Sequence, residues 1–373
     1  MEIILNKEDF SNSIKIVEKI TAQKTIQPIL SNILIETVSS DRIKLTATDL
    51  NLAIEYKTSA EVVQEGSITL NARKLSEIVS KLSASDVKIK TEDSSNNVQI
   101  KSGKTEFYLI SMDSAEFPKL DDKNISDDFK TVVLDKNEFS KSLKQVLFAV
   151  STQETQAVLT GVSFNITANV LELAATDGNR LTRVQKETQN NLEESISFIV
   201  PGKTLNEVQR ISSIVEDENI TLKITKNKIL FEFENLTFQS RLIEGSYPKY
   251  QQLIPVNNDK KIIIDRVELI NVIERVSVMV SERTNVVKFN FTQGQLEISA
   301  DTPDAGRSRD YLDIKYEQED MLTAFNYKYV LDGLKNMDTS EIVIEISDVL
   351  AATIFKPLED TNNYICLIMP VKV

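Results

Sequence analysis

Histidine is absent from all 373 residues of this chain. That removes the commonest general base, the commonest zinc ligand and every Ser-His or Cys-His nucleophile pair. Glycine is scarce as well, at nine residues, and the patterns G-x-x-x-x-G-K-[ST], G-x-G-x-x-G and G-x-S-x-G do not occur. Phosphate-cradling loops and nucleophile elbows are thereby excluded. One cysteine, Cys366, excludes an internal disulfide, and its apolar neighbours Ile365, Leu367 and Ile368 make it a core residue. Long apolar runs are missing: stretches such as residues 262–264 are only a few residues, far below the ~20 that a spanning helix needs. The opening MEIILNKEDF has no basic region followed by an apolar stretch. These absences predict a cytoplasmic protein without a membrane partner, a cofactor or a catalytic site.

What is present is an ordinary globular composition, 41% hydrophobic and 27% charged, long enough for two or three domains. A helical stripe returns three times. Phe10, Ile14, Val17 and Ile20 share one face, as do Phe139, Leu143, Val146 and Val150, and then Leu269, Ile273, Val276 and Val280. The offsets are 129 and 130 positions. A second helix recurs over residues 71–82, 202–214 and 326–337, and alternating β-branched stretches fill the intervals. Each unit reads β-α-β-β-β-α-β-β-β. The polar segments 119–129 and 255–261 look like linkers, which divides the chain into residues 1–125, 126–254 and 255–373. The fold class is α+β, with three repeated domains.

The net charge of −13 argues against a nucleic-acid partner until the charges are placed. Segments 6–24, 71–83, 135–150, 202–214, 265–283 and 326–337 together carry +5, so about −18 lies elsewhere. At 100° per residue, Lys15 and Lys19 point away from Phe10, Lys141 and Lys144 away from Phe139, and Lys328 and Lys335 away from Val330. Arg73, Lys74, Lys81 and Arg210 add to the same helices. A shared basic face of this kind attracts phosphates without reading sequence.

Several short motifs carry a family resemblance. They are the run from Gln27 to Ile33 (QPILSNI), Ala47-Thr48-Asp49-Leu50, the run from Ala175 to Leu181 (ATDGNRL), Ser246-Tyr247-Pro248, and the tail with Met369-Pro370-Val371-Lys372. In this order, on a threefold repeat of this length, the chain resembles the bacterial replicative sliding clamp, the β subunit of DNA polymerase III. The resemblance implies three processivity-clamp domains with helices inside and sheets outside, in a head-to-tail homodimer that closes as a ring around double-stranded DNA. Phe107 and Leu109 would meet Val278 and Met279 across the dimer interface. Lys24 and Arg73 match basic positions of the family, and Gln153 joins the DNA-facing set. The resemblance also implies a pocket for partner peptides with apolar anchors, made by Leu159, Thr176, Gly178, Arg180, Leu181, Pro248, Leu253, Leu367, Met369, Pro370 and Val371. Asn179 and Gln252 depart from the family's frequent histidine and arginine there. Implied partners are the polymerase III catalytic subunit, an ATP-driven clamp loader, and other clamp-binding replication and repair proteins.

Two rival readings remain open on the residues. A carboxylate hydrolase would use Asp49 and Asp177, with Asp301 as the third-repeat counterpart, although repeated aspartates after strands are turn caps by type. A three-domain scaffold would keep the peptide pocket and never encircle DNA.

Overall fold

Strands in this chain run straight into helices through a capping residue. Asn6, Asn71, Asp265 and Asn326 each end a strand, and each side chain accepts a hydrogen bond from a first-turn N–H of the helix that follows. One residue thereby closes the ladder and satisfies an otherwise orphaned helix donor. The computed structural model describes the chain apart from residues 23–24, 93–95, 119–128, 191, 282, 304–305, 360–362 and 373. Most of the first polar linker lies outside the described residues.

The first repeat consists of β1 (Glu2–Asn6), α1 (Lys7–Glu18), β2 (Asn32–Ser39), β3 (Arg42–Thr48), β4 (Leu52–Ser59), β5 (Glu61–Gln64), β6 (Ser67–Asn71), α2 (Ala72–Lys81), β7 (Asp86–Thr91), β8 (Asn97–Ser102) and β9 (Thr105–Ile110). The second has β10 (Lys130–Asp135), α3 (Lys136–Leu147), β11 (Gly161–Ile166), β12 (Val170–Thr176), β13 (Arg180–Glu187), β14 (Ile196–Pro201), α4 (Gly202–Ser212), β15 (Asn219–Ile224), β16 (Lys228–Glu232) and β17 (Leu236–Arg241). The third has β18 (Lys260–Asp265), α5 (Arg266–Ser277), β19 (Val286–Thr292), β20 (Gln295–Thr302), β21 (Gly306–Asp313), β22 (Met321–Asn326), α6 (Tyr327–Lys335), β23 (Glu341–Ile346), β24 (Thr353–Pro357) and β25 (Tyr364–Ile368).

The three-repeat architecture is there, with one strand more per repeat than the periodicity suggested. The added strands are β6, β14 and β22, and the first repeat also has the short β5. Each added strand abuts a helix with no loop between, so its alternation merges with the helical stripe. The helices are also shorter than the basic segments drawn from sequence. Ile20, Val150 and Val280 lie past the ends of α1, α3 and α5. Residues 255–261 are no free linker: Asn258 is buried and its amide donates to the Glu345 and Ala352 carbonyls, and β18 begins at Lys260.

The chain folds as two compact units, residues 1–136 with 207–242, and residues 137–206 with 243–373. The second repeat is thus divided between them. The first unit has a five-stranded sheet, β5-β1-β7-β8-β9, and an eight-stranded sheet, β10-β15-β16-β17-β4-β3-β2-β6. Pairing of β17 with β4 joins strands of two repeats into that larger sheet. Helix α1 packs on α2 and over β3 and β4, through the fully buried Phe10, Ile14 and Val17. Burying each such side chain stabilises the fold by about 2 kcal/mol.

The second unit repeats the scheme with β14-β11-β12-β13-β25-β24-β23-β18 and the four-stranded β21-β20-β19-β22. Its central strand β25 is buried at every residue. A strand covered on both faces reads as a continuous apolar run without alternation, which is why Cys366 is fully buried. Burial pushes its thiol up to about 12, so it is a packing residue. Helix α5 lies over β20 and β21 and packs on α6.

Candidate functional site

The pocket residues named from the sequence all fall in the second unit, around the turn that follows β12. Thr176 Oγ1 donates to the Arg180 carbonyl at 2.6 Å and accepts from Gly178 N–H at 3.1 Å. Asp177 Oδ1 accepts from the N–H groups of Asn179 and Arg180 at 2.9 and 3.1 Å. Gly178 has φ +89°, a left-handed conformation that favours glycine. The second aspartate oxygen accepts from Arg180 Nε at 3.0 Å. With its carboxylate occupied by the turn and by Arg180, Asp177 is a structural cap.

Arg180 crosses from this turn to the third repeat. Nη1 donates to Asp332 Oδ2 at 2.7 Å, Nη2 donates to the Phe148 carbonyl, and the guanidinium stands 4.3 Å from the Tyr329 ring centroid. Planar, multiply bonded and stacked, it fixes three elements at once. Sequence reasoning missed Asp332 and Tyr329 because α6 supplies them from a distant stretch of chain.

Two regions result. The first, the apolar cup, is a packed cluster of Ala174, Leu181, Tyr250 and Leu367, all buried, with Tyr247 and Ile254 packed against them. The Tyr247 hydroxyl accepts from Thr176 N–H at 3.0 Å, and burial pushes it up to about 12, so it stays neutral. Tyr250 is raised as well, by burial and then by its hydrogen bond to Glu172. Leu159 and Thr176 are buried, while Leu253 is 60% exposed and Pro248 and Gln252 lie on the surface. The second is a cleft of about 320 Å³ lined by Asn179, Asn326, Tyr329, Met369, Pro370 and Val371, with Thr284 and Val286. Met369 N–H donates to the Asn179 carbonyl at 2.9 Å, which ties the tail to the turn. Met369 is 43% exposed, so its flexible thioether is available to a guest. Asn326, Tyr329, Thr284 and Val286 are lining residues that sequence reasoning misses. In sequence Asn326 marks the start of a helix, and that capping role conceals its place in the cleft.

The basic residues are less uniform than their helical positions implied. Lys15, Lys19, Lys144 and Lys328 are exposed, and among the described residues none of them has a carboxylate within ion-pair distance. Arg73 and Lys74 share Glu77 at 3.0 and 3.7 Å, Lys141 pairs with Asp338 at 2.6 Å, and Lys335 with Glu274 at 2.7 Å. Such surface pairs contribute little to stability, so a phosphate can displace the carboxylate at little cost. Lys81 and Gln153 are exposed. Arg210 is half-buried and committed, donating to Glu207 at 2.7 Å and to the Ile16 carbonyl at 3.2 Å. Lys24 lies outside the described residues.

All four sheets are open at their edges, and two of these edges bear on the dimer contacts named from the sequence. Strand β9 closes the five-stranded sheet with Phe107 and Leu109 half-buried, while Tyr108 and Ile110 on its other face are 53% and 75% exposed. Strand β21 is an edge of the four-stranded sheet. Val278 is 79% exposed and Met279 half-buried, both just past the end of α5. An apolar, open strand edge invites pairing with another chain. Of the rival catalytic aspartates, Asp49 caps its turn by accepting from Asn51 and Leu52 N–H. Asp301 departs from that pattern: it sits inside β20 and pairs with Arg307 at 3.3 Å across to β21. Among the described residues no cluster of three or more potential metal ligands occurs, and no helix is long and apolar enough to cross a membrane.

All three repeats match known family models. Residues 1–121 match the N-terminal domain of the DNA polymerase III beta subunit, 133–249 its central domain, and 251–372 its C-terminal domain. The chain is 31% identical to the beta sliding clamp of Synechocystis sp. over 393 aligned residues, which cover 100% of both proteins. Among solved structures, the DNA polymerase sliding clamp from Bacillus subtilis superposes with a TM-score of 0.94 at 30% identity, covering 100% of this chain and 99% of that one. The clamp from Bartonella birtlesii bound to griselimycin gives 0.93 at 30% identity, with full coverage of both.

Proposed function

The chain belongs to the DNA polymerase III beta subunit family over all three of its domains, and on that premise we propose that it works as a DNA sliding clamp. The match of every repeat, in order and across the whole length, is the observation that carries this reading. The family is one of processivity factors and is generally non-catalytic. In our reading this chain likewise catalyses nothing, needs no cofactor and acts in the cytoplasm, on three domains of residues 1–125, 126–254 and 255–373.

Two copies would meet head to tail, β9 of one against β21 of the other, with Phe107 and Leu109 facing Val278 and Met279. Pairing these edges would cover the open apolar edge of β9 and close a ring with the helices inward. Lys15, Lys19, Lys144 and Lys328 are the first candidates for phosphate contact, with Arg73, Lys74, Lys81, Lys141, Lys335, Gln153 and Lys24 around them. Individually weak, screened contacts break and re-form cheaply, so duplex DNA would slide while the closed ring prevents escape. Arg210, committed to its own neighbours, would hold α4 in place. The cup and cleft around Arg180 would receive the apolar anchors of the polymerase catalytic subunit, the clamp loader and other replication and repair proteins.

After loading on a nicked circular plasmid with a clamp loader and ATP, the protein should stay bound through a salt wash and be lost once the circle is linearised. Equal retention on both forms would mean ordinary binding and overturn encirclement. Native mass should be near twice 42.1 kDa, and a strict monomer at micromolar concentration would remove the ring. Met369→Glu should abolish polymerase stimulation and spare the dimer; normal stimulation would refute the pocket. Met369 suits this test because it is exposed, whereas Leu181 at 2% exposure belongs to the core.

A further inference from the structure

Beside the apolar cup lies a groove of different chemistry, of about 380 Å³, between one face of β11 and β14 and the loop at residues 245–251. In the β11–β14 ladder Asn165 is opposite Ser197 and Ser163 is opposite Ile199. Side chains two apart in a strand share a face, so Ser163, Asn165 and Ser197 form one hydroxyl-and-amide floor. Ser197 Oγ donates to Asn165 Oδ1 at 3.2 Å. Among the described residues nothing accepts from the Asn165 side-chain N–H groups, which leaves them for a guest. The far wall is the Tyr247-Pro248 loop. It is held to the edge of β14 by the Ile243 N–H, which donates to the Ile199 carbonyl at 2.9 Å.

The same loop bounds the apolar cup, since Tyr247 and Tyr250 belong to both. The groove thus shares both tyrosines with that cluster, and Pro248, a pocket residue named from the sequence, lines it as well. Its one charged lining residue is Lys249, exposed, and among the described residues no carboxylate lies within ion-pair distance of it. In a chain of net charge −13, an unpaired cation at the lip of a neutral groove is a local attractor for negative charge.

We propose that this groove takes the polar stretch of a partner chain that flanks its apolar anchors, with an acidic residue of that stretch set against Lys249. The proposal rests on the peptide-docking reading above and adds a specificity element to it. The cup would select apolar anchors, and the groove would rank partners by what adjoins them. Small hydroxyl and amide side chains and the peptide backbone fit the floor. A rim charge mainly raises the association rate and makes binding salt-sensitive.

The test uses the full-length protein and fluorescence anisotropy with labelled synthetic peptides. One is Ala-Ala-Leu-Phe-Ala; two others add Ser-Asp-Asn-Ser at the amino or the carboxyl end. One of the long peptides should bind roughly threefold to tenfold tighter than the short one at low salt. That gain should vanish in Lys249→Glu, shrink in Asn165→Ala, and leave affinity for the short peptide unchanged in both variants. Equal affinity of all three peptides for the unaltered protein would overturn the proposal, as would a gain that survives both substitutions. Met369→Glu should weaken every peptide. If the short peptide does not bind at millimolar concentration, docking at the cup is itself refuted and the groove falls with it.

Discussion

After β3 the chain turns through Thr48, Asp49, Leu50, Asn51 and Leu52, and after β12 through Thr176, Asp177, Gly178, Asn179 and Arg180. The hydrogen bonds are the same in both. The threonine hydroxyl donates to the carbonyl four residues on, at 2.8 Å in the first turn and 2.6 Å in the second. It also accepts from the N–H two residues on, at 2.9 and 3.1 Å. The aspartate caps the next two N–H groups in each. The third residue has positive φ in both, +75° at Leu50 and +89° at Gly178. Their sequences differ at the third and fifth residues, and the fifth is the one that leaves the turn. Leu52 packs into the core at 6% exposure, whereas Arg180 reaches Phe148, Asp332 and Tyr329. The turn belongs to the fold, and the site is made by one side chain leaving it. A motif that recurs in two repeats therefore identifies a scaffold, and function is to be sought where the copies differ.

Removing that side chain should give the largest effect. Arg180→Ala strips donors from Asp177, Asp332 and the Phe148 carbonyl, around a side chain only 10% exposed. Orphaning such partners costs about 3 kcal/mol or more. Urea denaturation should show that loss together with failure to bind an anchor peptide. Leu52→Ala in the matching turn should cost about 2–3 kcal/mol, a cavity effect, with peptide binding intact. If both variants lost binding equally, the contrast between the turns would dissolve.

This contrast also marks how far the sequence could be read. The stripes at Phe10, Phe139 and Leu269, the buried Cys366 and the aspartate caps at Asp49 and Asp177 all rest on local spacing, and local spacing determines them physically. Strands β6, β14 and β22 were hidden because each runs directly into a helix, leaving no turn to mark the boundary. The partners of Arg180 were out of reach for another reason. Asp332 and Tyr329 lie on the outer face of an amphipathic helix, and nothing local distinguishes them from solvated residues. Ion pairing had the same effect on Lys141 and Lys335: a lysine opposite a buried stripe is identifiable, but not the carboxylate beside it.

The loops that close the first two repeats offer a smaller comparison. Phe117-Pro118 closes the first repeat and Tyr247-Pro248 the second, and the hydroxyl is the difference. Tyr247→Phe removes the acceptor of Thr176 N–H and should cost about 1–2 kcal/mol at neutral pH. Because burial raises the phenol to about 12, above the ~10 of an unfolded tyrosine, its contribution is complete below pH 10 and is lost as pH rises towards 12. Stability curves of the two proteins should therefore converge over that interval, the other tyrosines being common to both. Parallel curves would mean that Tyr247 ionises as freely in the folded protein as in the unfolded one.

The smallest effect probes the shared backbone itself. Leu50 is a non-glycine residue held at positive φ, which costs about 1–2 kcal/mol, and it is half exposed at 49%. Leu50→Gly relieves that strain and adds about 0.5–1 kcal/mol of unfolded-chain entropy, so a net stabilisation of roughly 0.5 kcal/mol is expected. The reciprocal Gly178→Ala should lose about 1 kcal/mol. A Cβ there would meet nothing within 4 Å, so the cost is one of backbone conformation and not of crowding. Opposite signs in thermal denaturation would show that both turns obey one conformational rule. A large loss in Gly178→Ala would instead show that the second turn is braced more tightly than the first, by contacts that begin at Arg180.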